Sequence, residues 1–360
     1  MTEKPIVPIV FTSLDNYVPP LSVALQSIME NADTERNEYR FFILYTDITS
    51  EHQEALRAQA AAFPHCSLTF IDVSAHVAGI TFANLNFTEA AYYRFLIPGL
   101  LGEYERVIYL DCDIICLTDI ALLLDPDYGD AVLGAPHTVI SDEPERAWVR
   151  ENAIGIGMAD YRNYFCAGIM VFNIKPFNSL ISQDALLRLA AANTYIYADQ
   201  DILNVLCEGR VRYIPMKWNT VFDRDIPSIL EAQAAEYEES RTNPAILHLN
   251  SDKPWKENTG ADRHTRFWDY ASRTPFAAEL RALLQENVSR LAAPIDPETD
   301  EAIFFSNNIR ETEQTEARLK AAGIAAKRGS GAEGCAFNVY VSRDDVEKAF
   351  AVLMETGGDE

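Results

Sequence analysis

Through the first two-thirds of the chain, short β-branched and aromatic runs alternate with stretches of helical periodicity. Ile6–Thr12 reads as a buried strand, and Leu21–Asn31, with Pro19 and Pro20 at its start, as a helix. Arg40–Thr46 predicts a second strand, Ser50–Ala62 a helix opened by Ser50, and Leu68–Asp72 a third strand. Thr88 is placed to cap a helix running through Phe95, with Glu89 in its first turn. Arg106–Leu110 predicts a fourth strand, which runs directly into Asp111-Cys112-Asp113. Strands spaced by helices imply an α/β fold whose mostly parallel, Rossmann-like sheet is covered on both faces. In such sheets ligands bind beyond the carboxyl ends of the strands.

From Ala131 the alternation loosens. Ala131–Ala135, Phe165–Asn173, Val211–Ile214 and Ala245–His248 read as strands, and Ala185–Ala192 and Asp199–Glu208 as helices. Asp262–Arg281 is helical in pattern, interrupted near Thr274-Pro275, and Ala292–Asp300 has the prolines and acids of a linker. Ala302–Ser306, Glu311–Ala321, Ile324–Lys327, Ala336–Val341 and Asp344–Leu353 predict a small β-α-β-β-α unit, an α+β ferredoxin-like module with Gly329-Ser-Gly331 as its hairpin loop. The expected organisation is a catalytic domain over 1–275, a helix and linker over 276–299, and the small module over 300–356. The module is a candidate surface for homo-oligomer formation.

Composition narrows the function. Acidic residues number 54 against 30 Lys and Arg, a net charge of −24, which argues against a broad nucleic-acid footprint. An anionic small ligand would need a local basic group or a bound cation. Six cysteines are scattered without zinc-type spacing and read as reduced thiols of a cytoplasmic protein. Neither a signal peptide nor a run of ~20 apolar residues is visible, so no transmembrane segment is expected.

Asp111 and Asp113 are the strongest local feature. Alternate residues on a strand share a face, so the two carboxylates converge while Cys112 turns away. Such hard oxygen ligands suit Mg²⁺ or Mn²⁺, although an Asp pair in a solvated turn has the same sequence. Asp199-Gln200-Asp201 puts three polar groups at a helix start, where an N-cap with dipole-friendly acids is the structural alternative. His248 closes a strand, Lys253 sits in the rigid turn Lys253-Pro-Trp255 where a phosphate fits, and Asp15-Asn16-Tyr17 offers an aromatic plate to a nucleobase. Each has a purely structural alternative.

Taken in order, Phe11-Thr-Ser-Leu-Asp-Asn-Tyr17, Tyr109-Leu-Asp-Cys-Asp113, Asp199-Gln-Asp-Ile-Leu-Asn204, Lys217-Trp-Asn219 and His248…Lys253-Pro-Trp255 resemble glycosyltransferase family 8. The resemblance covers roughly residues 5–272. The segment from Ile154 to Ile169 is most similar to the lipopolysaccharide galactosyltransferase branch. It implies a GT-A-type fold and a retaining transfer of galactose or glucose from UDP-glucose or UDP-galactose to a saccharide acceptor. Tyr17 would stack on uracil, with Thr12, Asp15 and Asn16 along the base and ribose. Asp111, Asp113 and His248 would hold Mn²⁺ or Mg²⁺, Lys253 a phosphate oxygen, and Arg94, Asp111, Cys112 and Cys166 would line the donor. Asp199 and Gln200 would be the catalytic pair, with Gln200 facing the anomeric carbon. A neutral amide there favours front-face attack over a covalent intermediate on Asp199.

Three features depart from the family pattern: the His248…Lys253-Pro-Trp255 segment lacks the usual Gly and is a residue short of several relatives, which would shift Lys253, and two single positions differ. Leu14 replaces an acid that can accept a hydrogen bond from uracil, and Cys166 replaces the Asn of the usual Asn-Ala-Gly. A thiol is a poorer hydrogen-bond partner than an amide, which keeps open a second reading, a nucleotide-sugar-binding protein with little transfer. A metal-dependent phosphohydrolase is a further alternative. A dinucleotide oxidoreductase would need a Gly-rich turn after the first strand, and Thr12–Asn16 contains no glycine.

Overall fold

The computed structural model describes residues 4–82, 88–141, 147–221, 229–250, 253–256, 261–291, 299–306, 309–330 and 337–354. The chain divides into two units, 1–280 and 281–360. In the first, β1 (Ile6–Thr12), β2 (Glu38–Tyr45), β3 (Cys66–Asp72) and β4 (Arg106–Leu110) are followed by β5 (Ile114–Cys116), β6 (Leu133–Pro136), β7 (Ile169–Asn173), β8 (Val211–Ile214), β9 (Thr220–Val221) and β10 (Ile246–His248). Seven of them form one sheet in the order β3-β2-β1-β4-β7-β6-β8. Its β1, β2, β3 and β4 neighbours pair in parallel, as do β6 and β8. Strand β7 alone runs antiparallel to both of its neighbours.

The central strands of this sheet are buried on both faces, as near-continuous apolar runs require, whereas the edge strands β3 and β8 are partly exposed. Along β4, Val107 and Tyr109 enter one core with Val10, while Ile108 and Leu110 enter the other with Ile9 and Phe11. The helix Val18–Asn31 starts three residues earlier than its periodicity suggests, with Pro19 and Pro20 inside the first turn, where their missing N–H groups cost nothing. Every residue from Val18 through Met29 is buried. Its polar members find partners: Ser22 and Ser27 donate to Pro19 O and Ala24 O, and Gln26 accepts from Gln59.

Four local expectations are corrected. Thr88 makes no side-chain cap, and Glu89–Leu96 is a 3₁₀ helix passing into a short α-turn, Ile97–Leu100. The Arg94 side chain turns back onto Ala91 O, at 2.9 Å, within this segment. Thr49, not Ser50, caps the helix Ser50–Ala61 by accepting from His52 N. Asp111 to Asp113 lie in the bend between β4 and β5, not on a strand. Residues 165–168 precede β7, tied to the sheet there by a bridge between Phe165 and His137.

A second sheet, β5-β10-β9, lies beside the first. Because β10 runs antiparallel to β5, His248 pairs with Ile114, immediately after Asp113. Among the described residues, no helix is long and apolar enough to cross a membrane.

The second unit has the order β11 (Asp300–Ser306), helix Ile309–Ala321, β12 (Ala326–Ser330), β13 (Phe337–Ser342), helix Val346–Met354. Its antiparallel sheet is ordered β11-β13-β12, over its own core of Ile303, Leu319, Ile324, Val339, Val341 and Ala349. Gly329 and Ser330, expected in the hairpin loop, continue β12 opposite Asn338 and Phe337. Gly331 lies outside the described residues.

Candidate active site

Three chain segments meet at the carboxyl edge of β1 and β4. Strand β4 ends at Leu110 and delivers Asp111. Since β7 is antiparallel to β4, its beginning meets that end: Asp111 N donates to Gly168 O at 2.8 Å. Strand β10 ends at His248 on the same side, and Leu249 N donates to Asp113 O at 2.8 Å. The sheet geometry thus brings residues from three regions of the sequence to one point.

Asp111, Asp113 and His248 each direct one ligand atom into a space where all three atoms lie within 4.8 Å of one another. His248 Nε2 is 3.6 Å from Asp111 Oδ2 and 3.4 Å from Asp113 Oδ1. It is buried and makes no hydrogen bond. The other ring nitrogen, Nδ1, lies 2.7 Å from Asn219 Oδ1, an acceptor that fixes the ring and leaves Nε2 to the cluster. Gly168 makes room: a Cβ there would lie 2.4 Å from His248 Cε1 and 2.8 Å from Asp111 Oδ2. An orphaned imidazole nitrogen, two convergent carboxylates and space kept clear by a glycine fit a divalent cation. Burial lowers the affinity of His248 for a proton, but Asp113 and Cys166 outweigh it and raise its pKa to about 10.

Lys253 closes one side of the cluster. Its Nζ lies 2.6 Å from Asp113 Oδ2, bonds Tyr17 OH, and stands 5.2 Å from the Tyr17 ring centroid. Burial opposes ionisation of Asp113, but Lys253 and His248 prevail and hold the carboxyl well below its usual range. Tyr17 also meets Trp255 edge-on at 6.0 Å. The expected base plate, phosphate cation and metal ligand are therefore in direct contact.

Arg94 closes the opposite side. Buried to 6% exposure, it donates through Nη1 to Ala167 O at 2.7 Å and through Nη2 to Asp111 Oδ1 at 3.1 Å, with its guanidinium over the Tyr109 ring. Its Nε lies 3.0 Å from Asp199 Oδ2. Tyr109 OH donates to Asp111 Oδ1 at 2.7 Å and meets Thr12 Oγ1 at 3.2 Å. Asp199, expected to line the sugar, is only 4% exposed and paired with Arg94. Burial pushes its carboxyl up to about 7, because Arg94, shared with Asp111 and backbone carbonyls, offsets only part of that burial.

The helix Ala198–Cys207 carries Gln200. Gln200 Oε1 accepts from Ala167 N at 3.0 Å and Nε2 donates to Tyr164 OH at 2.9 Å. Asp201, fully buried, accepts from Tyr164 OH and Asn152 Nδ2 through Oδ1 and from Tyr197 N through Oδ2.

The other expected residues differ in exposure and contacts. Asp15 Oδ1 already accepts from Thr49 N at 2.8 Å, Thr49 Oγ1 at 3.0 Å and His52 Nδ1 at 2.9 Å, so this oxygen anchors the next helix. Asn16 is exposed. Cys112 does not face the donor side: its thiol points into the core and donates to Thr12 O at 3.3 Å, and burial raises its pKa well above the usual thiol value. Cys166 is partly exposed and faces His248. Sequence reasoning gave no role to Asn219, Gly168, Tyr164 or Asn152. Asn219 stands inside a quoted motif and Gly168 and Tyr164 inside the Ile154–Ile169 segment, whereas Asn152 carries no local signal.

The family model "Glycosyl transferase family 8" matches residues 8–259. General stress protein A of Bacillus subtilis (strain 168) is 28% identical over 285 residues, spanning 76% of this chain and 96% of that protein. Lipopolysaccharide 1,2-glucosyltransferase of Escherichia coli (strain K12) is 26% identical over 249 residues, 67% of this chain and 70% of that one. Among solved structures, the galactosyltransferase LgtC with donor and acceptor sugar analogues superimposes with a TM-score of 0.60 at 25% identity, covering 77% of this chain and all of LgtC.

Proposed function

The chain belongs to glycosyltransferase family 8, and on that premise we propose that it is a retaining, metal-dependent hexosyltransferase that moves glucose or galactose from a UDP-sugar to a saccharide acceptor in bacterial surface-glycan assembly. The observation that carries this reading is the convergence of Asp111, Asp113 and His248 beside Lys253 and Tyr17. The ligand set favours Mn²⁺ or Mg²⁺, which when bound would act as Lewis acid and template for charge building on the leaving diphosphate. It also reconciles a −24 chain with an anionic donor.

Each residue then has a physical task. Tyr17 presents its ring to the base, and Lys253 exchanges Asp113 for a phosphate oxygen. Arg94 fixes Asp111 and the Cys166–Gly168 segment against the sugar. Gln200 presents a neutral amide where a double displacement would want a carboxylate. Asp199, buried against Arg94, is poorly placed to serve instead. Front-face attack follows, with the departing phosphate taking the acceptor's proton. The free cysteines among the described residues fit a reducing cytoplasm.

The reading is tested by thermal unfolding with UDP, with and without Mn²⁺, on the wild type and Asp113→Ala. UDP is expected to raise the wild-type midpoint by a few degrees only with Mn²⁺ and to leave the variant unmoved. No response in either protein overturns the donor site. Cys166 favours one alternative, nucleotide-sugar binding with little turnover. UDP release from UDP-glucose or UDP-galactose over hours decides between the two.

A further inference from the structure

The side-chain amide of Gln200 has two ends that differ chemically, and only one orientation satisfies its surroundings. Asp201 accepts three hydrogen bonds, from Asn152 Nδ2 and Tyr164 OH at Oδ1 and from Tyr197 N at Oδ2, so both of its oxygens already face donors. Tyr164 OH has a single proton, and it goes to Asp201 Oδ1 at 2.5 Å. Burial, and then the facing Asp201, keep that phenol protonated by raising its pKa far above the usual value. Toward Gln200, Tyr164 can therefore only accept, so it demands the amide NH₂ at 2.9 Å. The opposite end faces a backbone donor, Ala167 N at 3.0 Å, which demands the amide oxygen. Ala167 adjoins Gly168, where any Cβ would strike His248 and Asp111. The oxygen of Gln200 is thus turned to the edge that carries the metal cluster.

We infer that Tyr164 and Asp201 are positioning residues that lock the Gln200 amide with its oxygen, not its NH₂, toward the donor sugar. An oxygen there opposes the positive charge that builds on an oxocarbenium-like ring, whereas an NH₂ repels it. The inference rests on the reading above that Gln200 faces the anomeric carbon. Neither Tyr164 nor Asp201 is exposed, so both act only through Gln200.

Asp201→Asn inverts the proton sequence with little change of shape. Tyr197 N still needs an oxygen from residue 201, so the new NH₂ must face Tyr164 and Asn152, and the Asn152 amide turns over to offer its oxygen. Tyr164 then accepts from position 201, and its own proton turns to Gln200, whose NH₂ no longer fits. Gln200→Glu fails in the wild-type background for the opposite reason, because its oxygen meets a Tyr164 whose proton is already committed. Combined, the two changes restore an unbroken sequence of donors and acceptors. The expected result is a sign reversal in melting temperature: Asp201→Asn lowers the midpoint of the wild type by a few degrees but raises that of Gln200→Glu. Additive shifts overturn the lock.

Kinetics test its use. Asp201→Asn and Tyr164→Phe are expected to lower kcat for UDP release from UDP-glucose or UDP-galactose by about tenfold or more. Donor KM and UDP–Mn²⁺ affinity should stay within about twofold, because the variants touch neither ligand. If kcat is unchanged while Asp113→Ala abolishes release, the positioning role falls and the transferase reading stands. If the wild type itself releases no UDP, the transferase reading falls, and the proposed effect on the sugar falls with it.

Discussion

A methyl group at position 168 would overlap His248 and Asp111. Gly168→Ala is therefore expected to push the two ligands apart, lowering stability by about 1–3 kcal/mol and abolishing the Mn²⁺-dependent stabilisation by UDP. Differential scanning calorimetry with and without both ligands checks it. His137 makes a separate residue-scale case. Its ring stacks on Tyr213 at 3.7 Å, and its buried Nε2 has no hydrogen-bond partner among the described residues. Burial lowers its pKa below 6.5. A histidine held neutral by the fold stabilises above its unfolded pKa and gives that contribution up as pH falls below about 6.5, since the unfolded chain then binds the proton more readily. His137→Phe keeps the stack and removes the titration. The midpoint of the variant should consequently drop less than that of the wild type between pH 7.5 and 5.

Elements were legible wherever a local pattern sufficed. The apolar run Val107–Leu110 announces a strand whose end presents Asp111 to a ligand, and the structure has that strand. The delivery of His248 was not legible, because it depends on antiparallel pairing of two three-residue strands, β5 and β10, from distant parts of the chain. The same limit hid the reversal of β7, which alone lets Gly168 reach Asp111. Thr88 misled for a different reason. A capping residue before an apolar run reads as an α-helix start, but there the segment tightens into a 3₁₀ helix with Tyr92, Tyr93, Arg94 and Phe95 all buried. Tertiary packing overrode a local preference. Gln200 was found from its motif, while Tyr164, which holds it, lies 36 residues away in the Ile154–Ile169 segment with no spacing that ties it to Gln200.

At the scale of the whole molecule, every candidate site residue lies in the unit 1–280, and the unit 281–360 has a hydrophobic core of its own. A chain ending at Leu291 is accordingly expected to keep the midpoint shift produced by UDP and Mn²⁺ to within about a degree, because binding energy is reported by the domain that holds the ligand. Loss of that shift would make the second unit part of the donor site. The arrangement of the first unit also bears on how the protein is made. Lys253 meets Asp113 across 140 residues of sequence, and Arg94 meets Ala167 across 73. Contacts so distant in sequence require loops to close before they repay the lost entropy, and they form late. A ribosome that has released only the first two hundred residues has released Asp111 and Asp113 but neither His248 nor Lys253. The site is completed only near the end of that unit's synthesis, and the growing chain emerges without the complete cation site.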